Sequence, residues 1–132
     1  LKKYSPISDL GEFAKEYADS LHEALGYIVC IADRDEIIAV SGDAKKDLIN
    51  GAIGKVLEDI IGERQHQVIN GEHSLTAGEE FIAKSSVVSP IIVSGDPIGA
   101  IVITSKDEAQ MGDLEKKLAQ TAASFLAKQM EG

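Results

Sequence analysis

A second cysteine is missing from this 132-residue chain, as are a run of positive charge, a long apolar stretch and a basic-then-apolar leader. Cys30 alone cannot close an internal disulfide. Its setting, Ile28-Val29-Cys30-Ile31-Ala32, reads as a buried small hydrophobe in a reducing compartment. Thirteen Lys and Arg against 22 Asp and Glu leave a formal charge of -9, divided almost evenly between the two halves. No basic stripe is left to neutralise phosphates, which argues against direct DNA or RNA binding by this segment. No apolar run approaches the roughly 18 residues that a membrane helix needs, and no leader opens the chain, so the expectation is a cytoplasmic segment with no membrane partner. A start at Leu1 rather than Met is expected of a piece of a longer protein. A chain of this size typically buries roughly two-thirds of its unfolded surface, so one core suffices and no cofactor or disulfide is needed for stability.

What is there is organised around 88–105. Two β-rich runs, 91–93 and 98–104, flank Ser94-Gly95-Asp96-Pro97, where Gly95 can take positive φ and Pro97 keeps its predecessor extended. Neither run alternates apolar with polar residues, so this hairpin places large side chains on both faces of a sheet, and both faces need a cover. Apolar residues at Leu10, Phe13, Ala14, Tyr17, Ala18, Leu21 and Leu25 have the spacing of an amphipathic helix, with Ser8 or Asp9 as its cap and Gly26 at its end. Runs 27–32 and 36–40 around Asp33-Arg34-Asp35 form a second expected hairpin. A short helical piece follows at 45–49, stopped by Gly51. A longer helix, marked by Ile53, Val56, Leu57, Ile60 and Ile61, closes near Gly62. Residues 65–70 are a weaker strand ending in the turn-prone pair Asn70-Gly71, and 71–78 reads as a mobile loop. Met111, Leu114, Leu118, Ala122, Phe125, Leu126 and Met130 mark a long last helix starting between Asp107 and Asp113, with a capping-box-like Ser105-Lys106-Asp107-Glu108 just ahead.

Hairpins between neighbouring strands predict a mainly antiparallel sheet of about five or six strands with helices on both faces, an α+β arrangement in one domain over 1–132. The terminal helices carry small residues that permit close approach, so they are expected to pack together. Phe13, Tyr17, Leu21, Leu118, Ala122, Phe125 and Leu126 are the candidates for holding two or four copies together.

Catalytic chemistry finds little footing. His22, His66 and His73 are scattered and none stands beside a nucleophile motif. His66, Glu72, His73 and Glu79 match no zinc spacing, and Gly51-Ala52-Ile53-Gly54-Lys55 lacks the spacing and hydroxyl residue of a phosphate loop. No enzyme activity, metal or cofactor is expected. What remains is a small-molecule pocket between sheet and loops, with Ser41, Lys45, Ser86 and Ser89 as polar rim and Ile38, Phe81 and Val87 as walls. Lys45 or Lys46 could neutralise an anionic ligand that the acidic surface otherwise repels.

Helix, hairpin, helix and then Pro90-Ile91-Ile92-Val93-Ser94-Gly95-Asp96-Pro97-Ile98-Gly99-Ala100-Ile101-Val102-Ile103 before a long helix resembles a GAF domain. With Tyr4-Ser5-Pro6-Ile7-Ser8, Phe13-Ala14-Lys15-Glu16-Tyr17-Ala18, Ala39-Val40-Ser41-Gly42 and Ala122-Ala123-Ser124-Phe125-Leu126-Ala127, the chain is similar over nearly its whole length to the C-terminal domains of the stage V sporulation protein T family. The resemblance is weakest over 50–85. It implies a regulatory domain of a sporulation transcription regulator, joined through 1–7 to an upstream AbrB-type DNA-binding domain that alone touches DNA; with the helix faces above, the expectation is a non-enzymatic domain that self-associates and senses an unknown small molecule. The purely structural alternative is an oligomerisation domain without a ligand. Glu79-Glu80-Phe81 does not match the cyclic-nucleotide signature of some GAF domains. The several cysteines of their sulfoxide-reducing relatives are missing.

Overall fold

Two rows of side chains across one sheet account for most of the architecture. The computed structural model describes residues 7, 10, 12–107 and 110–131. The expected connector up to Pro6, the Ser8 or Asp9 cap and Glu108 lie outside them. In chain order come α1 (Glu12–Leu25), β1 (Ile28–Asp33), β2 (Ile37–Ser41), α2 (Lys45–Leu48), α3 (Lys55–Glu63), β3 (Gln67–Ser74), β4 (Ile82–Val93), β5 (Asp96–Ser105) and α4 (Asp113–Glu131). The five strands form one sheet in the order β2-β1-β5-β4-β3, and every neighbouring pair is antiparallel.

Register explains why both faces are apolar. Val29, Ile103, Val87 and Val68 lie opposite one another in a row on one face, and the next row, Val40, Cys30, Val102 and Val88, points to the other. The first face is buried by α1 and α4 through Ala14, Ala18, Ala119, Ala122, Ala123 and Leu126. The second is covered by α2 and α3 through Leu48, Leu57, Ile60 and Ile61, with Leu75 and Phe81 from the β3–β4 connection. Each large aliphatic side chain so buried contributes about 1.5–3 kcal/mol. The alanines on the terminal helices therefore serve their own sheet, which lets both helices lie close to it side by side.

The hairpin at the centre is tighter and longer than its sequence suggests. Val93 pairs with Asp96, leaving a two-residue turn in which Ser94 (φ 51°) and Gly95 (φ 82°) are both left-handed, the geometry that matches strand twist. Asp96 and Pro97 thus belong to β5, and β4 runs unbroken from Ile82 through Pro90. Pro90 is tolerated because β3 has already ended its pairing at Val88, so no partner on that side requires its missing N–H. Asn70-Gly71 is no turn either; it sits in a bulge within β3, where pairing slips between Asn70 and His73, so the strand reaches Ser74 and shortens the expected loop. Gly62 lies inside α3, which is closed by Arg64 in the left-handed conformation (φ 58°), whose side-chain Nε donates to Gly95 O at 3.1 Å. Ser105 accepts from Asp107 N–H in a local turn, and α4 starts at Asp113, within the expected range, where Glu115 reaches back to Gly112 N–H at 2.8 Å. The turn chemistry of Asp33 is as its residue type predicts: Oδ1 accepts from the N–H groups of Asp35 and Glu36 at 2.7 and 2.8 Å.

Gly99, near the start of β5, is required by packing rather than by its dihedral angles. A Cβ there would overlap Ala32 O on β1 and Ile7 Cδ1, and Ile7 is wholly buried. Gly99→Ala is expected to destabilise the chain by about 3 kcal/mol in urea denaturation. Gly62→Ala, where a Cβ meets nothing within 4 Å on a helix, is expected to stabilise it by about 0.5–1 kcal/mol.

Candidate ligand groove and helix face

The seven residues predicted to line one pocket are divided by the sheet. Ile38 and Lys45 come together at its β2 edge, in a groove of about 460 Å³ between α1, β2 and α2. Ile7, Ile38 and Ile49 supply apolar walls, and Glu12, Lys15 and Lys45 supply charge. Ser41 faces α1 but is already engaged. Its hydroxyl donates to Asp19, whose carboxylate also takes the Lys15 ammonium at 2.5 Å. The Lys15 bond, then the Ser41 bond, hold the Asp19 carboxyl below the usual carboxylate range against the opposing effect of burial. Together with His22, whose Nδ1–H must donate to the Tyr27 carbonyl at 2.7 Å, Asp19 pins α1 to the strands beneath it.

Ser89 and Val87 point the same way as Ser41 but sit deeper, under α4, and Ser89 is bonded to His66. Ser86 and Phe81 belong to the opposite face. Ser86 Oγ lies 2.6 Å from His73 Nε2 and 2.7 Å from Thr104 Oγ1. His73 Nδ1 is 2.7 Å from the Gly71 carbonyl, which can only accept, so Nδ1 carries the proton and Nε2 accepts from the Ser86 hydroxyl. Phe81 is buried on this face, with the Lys106 ammonium 5.8 Å from its ring centroid.

Two Ser–His contacts therefore exist that no local motif announces, because both depend on how β3 registers against β4. Ser86 and Ser89 are both fully buried, which suits a structural bond better than a nucleophile. His66 and His73 bond serines on opposite faces, so they cannot converge on one metal ion with Glu72 and Glu79. Burial pushes the Cys30 thiol up to about 12, leaving it inert.

The outer surface of α1 and α4 is a separate feature. Phe125 stacks obliquely between Phe13 and Tyr17, with ring centroids at 5.8 and 5.3 Å, and a cavity of about 370 Å³ beside them is lined by Phe13, Glu16, Tyr17, Ser20, Leu21 and Phe125. Phe13 and Phe125 are 39 and 38% exposed, and Leu114 on the same helix 64%. Of the seven interface candidates, Phe13, Tyr17, Leu21, Leu118 and Phe125 are exposed or half-buried, whereas Ala122 and Leu126 are enclosed in the protomer's own core.

A single antiparallel sheet with the first and last helices side by side on one face and two shorter helices on the other is the GAF fold. The second GAF domain of DevS from Mycobacterium smegmatis superposes with a TM-score of 0.74 at 13% identity, covering 91% of each chain. The GAF domain of an Acinetobacter phosphoenolpyruvate-protein phosphotransferase gives 0.74 at 13%, covering 98% of this chain and 84% of that one. More specifically, residues 9–131 match the family described as stage V sporulation protein T C-terminal, transcription factor, and the chain belongs to it. It is 52% identical over 133 residues to stage V sporulation protein T of Bacillus subtilis, covering 99% of this chain and 74% of that protein. Among the described residues, no helix is long and apolar enough to cross a membrane.

His66 provides a test of the α4 face. Burial first, and Lys116 second, hold its imidazole below the ordinary 6.5, so folding favours the neutral form. The stability this contributes is complete above the unfolded value and is lost as pH falls from about 6.5 toward the lowered folded value. In urea titrations from neutral to mildly acid pH, the midpoint is expected to drop more for the wild type than for His66→Gln.

Proposed function

We propose that this chain is the non-enzymatic regulatory part of a sporulation transcription regulator, self-associating through α1 and α4 and transmitting small-molecule occupancy to AbrB-type DNA-binding domains joined ahead of residue 7. The observation that carries the reading is the aromatic cluster Phe13, Tyr17 and Phe125, an apolar surface made jointly by the first and last helices and left open to solvent. A second copy presenting the same surface about a two-fold axis would cover it, giving a dimer, or a tetramer if a further face pairs.

Helix α1 connects the two activities. Its Phe13 and Tyr17 belong to the outer cluster, while Glu12, Ala14 and Lys15, from the same turns, line the groove against β2. A ligand wedged between α1 and β2 acts on the backbone that sets the outer cluster. Lys45 suits a ligand with an anionic end, and Ile7, Ile38 and Ile49 suit one with an aliphatic body. Coupling requires that the ligand favour one arrangement of the helices over another, since equal affinity for both shifts nothing. The partner domains hold the DNA contacts, consistent with the -9 charge here.

A purely structural oligomerisation domain is the second reading. It is favoured by the other face of the sheet, where Leu57, Ile61, Leu75 and Phe81 fill the space under α3 with the chain's own side chains, each no more than 2% exposed.

Two measurements test these readings, the first their shared interface and the second the ligand that separates them. Sedimentation equilibrium of Phe125→Asp and Leu118→Asp is expected to give a lower mass than the wild type with the circular dichroism of a folded chain; a folded variant of unchanged mass removes these helices from the interface. In thermal unfolding against a panel of small carboxylates and other metabolites, one compound is expected to raise the transition of the wild type but not of Lys45→Ala. At about a hundred times its dissociation constant, such a ligand adds about 2.7 kcal/mol. Indifference to the whole panel favours the structural reading.

A further inference from the structure

We propose that Asn70-Gly71 is a site of covalent modification, an intramolecular deamidation whose product acts on the start of α4. Both residues are exposed, and pairing passes from Asn70 opposite Ser85 to His73 opposite Ala83, so Gly71 and Glu72 have no partner across the strand. Gly71 is left-handed (φ 111°) and puts no Cβ beside the Asn70 amide. The pair borders a cavity of about 230 Å³ with Lys84 and Gln110, large enough for water. The fully buried Ser85 hydroxyl donates to Asn70 Oδ1 at 2.6 Å while accepting from Met111 N–H at 3.1 Å. A donor is thus already aimed at the oxygen on which negative charge develops when the side-chain amide is attacked.

The step balances without a cofactor. Gly71 N, losing its proton to water or hydroxide, bonds to Asn70 Cγ; the Cγ–NH₂ bond breaks and ammonia leaves with a proton, giving a succinimide. Water opens either carbonyl of that ring, to an aspartate or to a β-aspartyl link at position 70. Either product adds a negative charge to an already acidic chain. The second lengthens the backbone by one methylene and draws the carboxylate away from Ser85, which loosens its hold on Met111 just before α4.

Asn50-Gly51 is the internal comparison. Asn50 is left-handed (φ 64°), its N–H donates to Ile37 O at 2.8 Å, and the attacking nitrogen, Gly51 N, is bonded to Leu48 O at 3.1 Å. The same dipeptide is therefore pinned there and held in a bulge at 70.

The chemistry does not rest on the proposed function; only its bearing on the α4 surface does. Folded chain is incubated at mildly alkaline pH and digested, and conversion at each site is followed by mass spectrometry. Position 70 is expected to convert at least about tenfold faster than position 50, a barrier difference of about 1.4 kcal/mol, with the two rates converging in urea. Ser85→Ala, or Gly71→Ala if the former fails to fold, is expected to slow site 70 and leave site 50 unchanged. Equal rates in the folded chain, or a rate at 70 indifferent to both variants, overturn the proposal. Hydrogen exchange is expected to be faster at the Met111 amide in the modified fraction; unchanged exchange overturns the link to α4.

Discussion

A sheet with apolar side chains on both faces cannot exist in water without two covers, and this demand shapes the rest of the molecule. Strand β5 lies in its middle with Ile101 and Ile103 on one side and Ala100 and Val102 on the other, all fully buried. Placing the first and last helices on one side and the two middle helices on the other meets the demand with one chain and short connections. Where the sheet backbone itself is crowded, at Gly99, the missing Cβ admits Ile7, which ties the beginning of the described chain to the middle of the sheet.

The covers are not equivalent. Helix α3 is driven into its face by large side chains, whereas α1 and α4 meet theirs mostly through alanine. Small residues on the inside leave the bulkier ones, Phe13, Tyr17, Leu114 and Phe125, on the outside. Polar bonds then orient α1, which apolar packing alone would leave free to slide: Asp19 to Ser41 and His22 to Tyr27. Helix α1, held by these polar bonds over a small-residue contact, carries both one wall of the groove and part of the outer aromatic cluster, which is the physical basis of the proposal that it couples the two. Membership of the family described as stage V sporulation protein T C-terminal, transcription factor, supports a regulatory domain.

Polar side chains inside the sheet are arranged by pairing rather than by local sequence. Ser85, Ser86 and Ser89 lie within five consecutive residues, yet they bond Asn70, His73 and His66 respectively, on alternating sides. Predicting one pocket from Ser41, Ser86 and Ser89 treated serines near strand ends as neighbours. Strand periodicity of two separates Ser86 from Ser89, and the helix above Ser41 engages it first.

Much was legible in the chain before any fold was seen. Apolar periodicity located α1, α3 and α4, uninterrupted β-branched runs required a sheet covered on both faces, and the Asp33 and Gly95 turns followed from side-chain chemistry and backbone freedom. These are short-range effects, and neighbouring residues suffice to specify them. Register, the bulge that absorbs Asn70-Gly71, the passage of β4 through Pro90, and the choice of which serine meets which histidine were decided only when distant strands were brought together. So was the division of Phe125 from Leu126, one outside and one inside, since burial depends on what lies across from a side chain and no stretch of sequence carries that information alone.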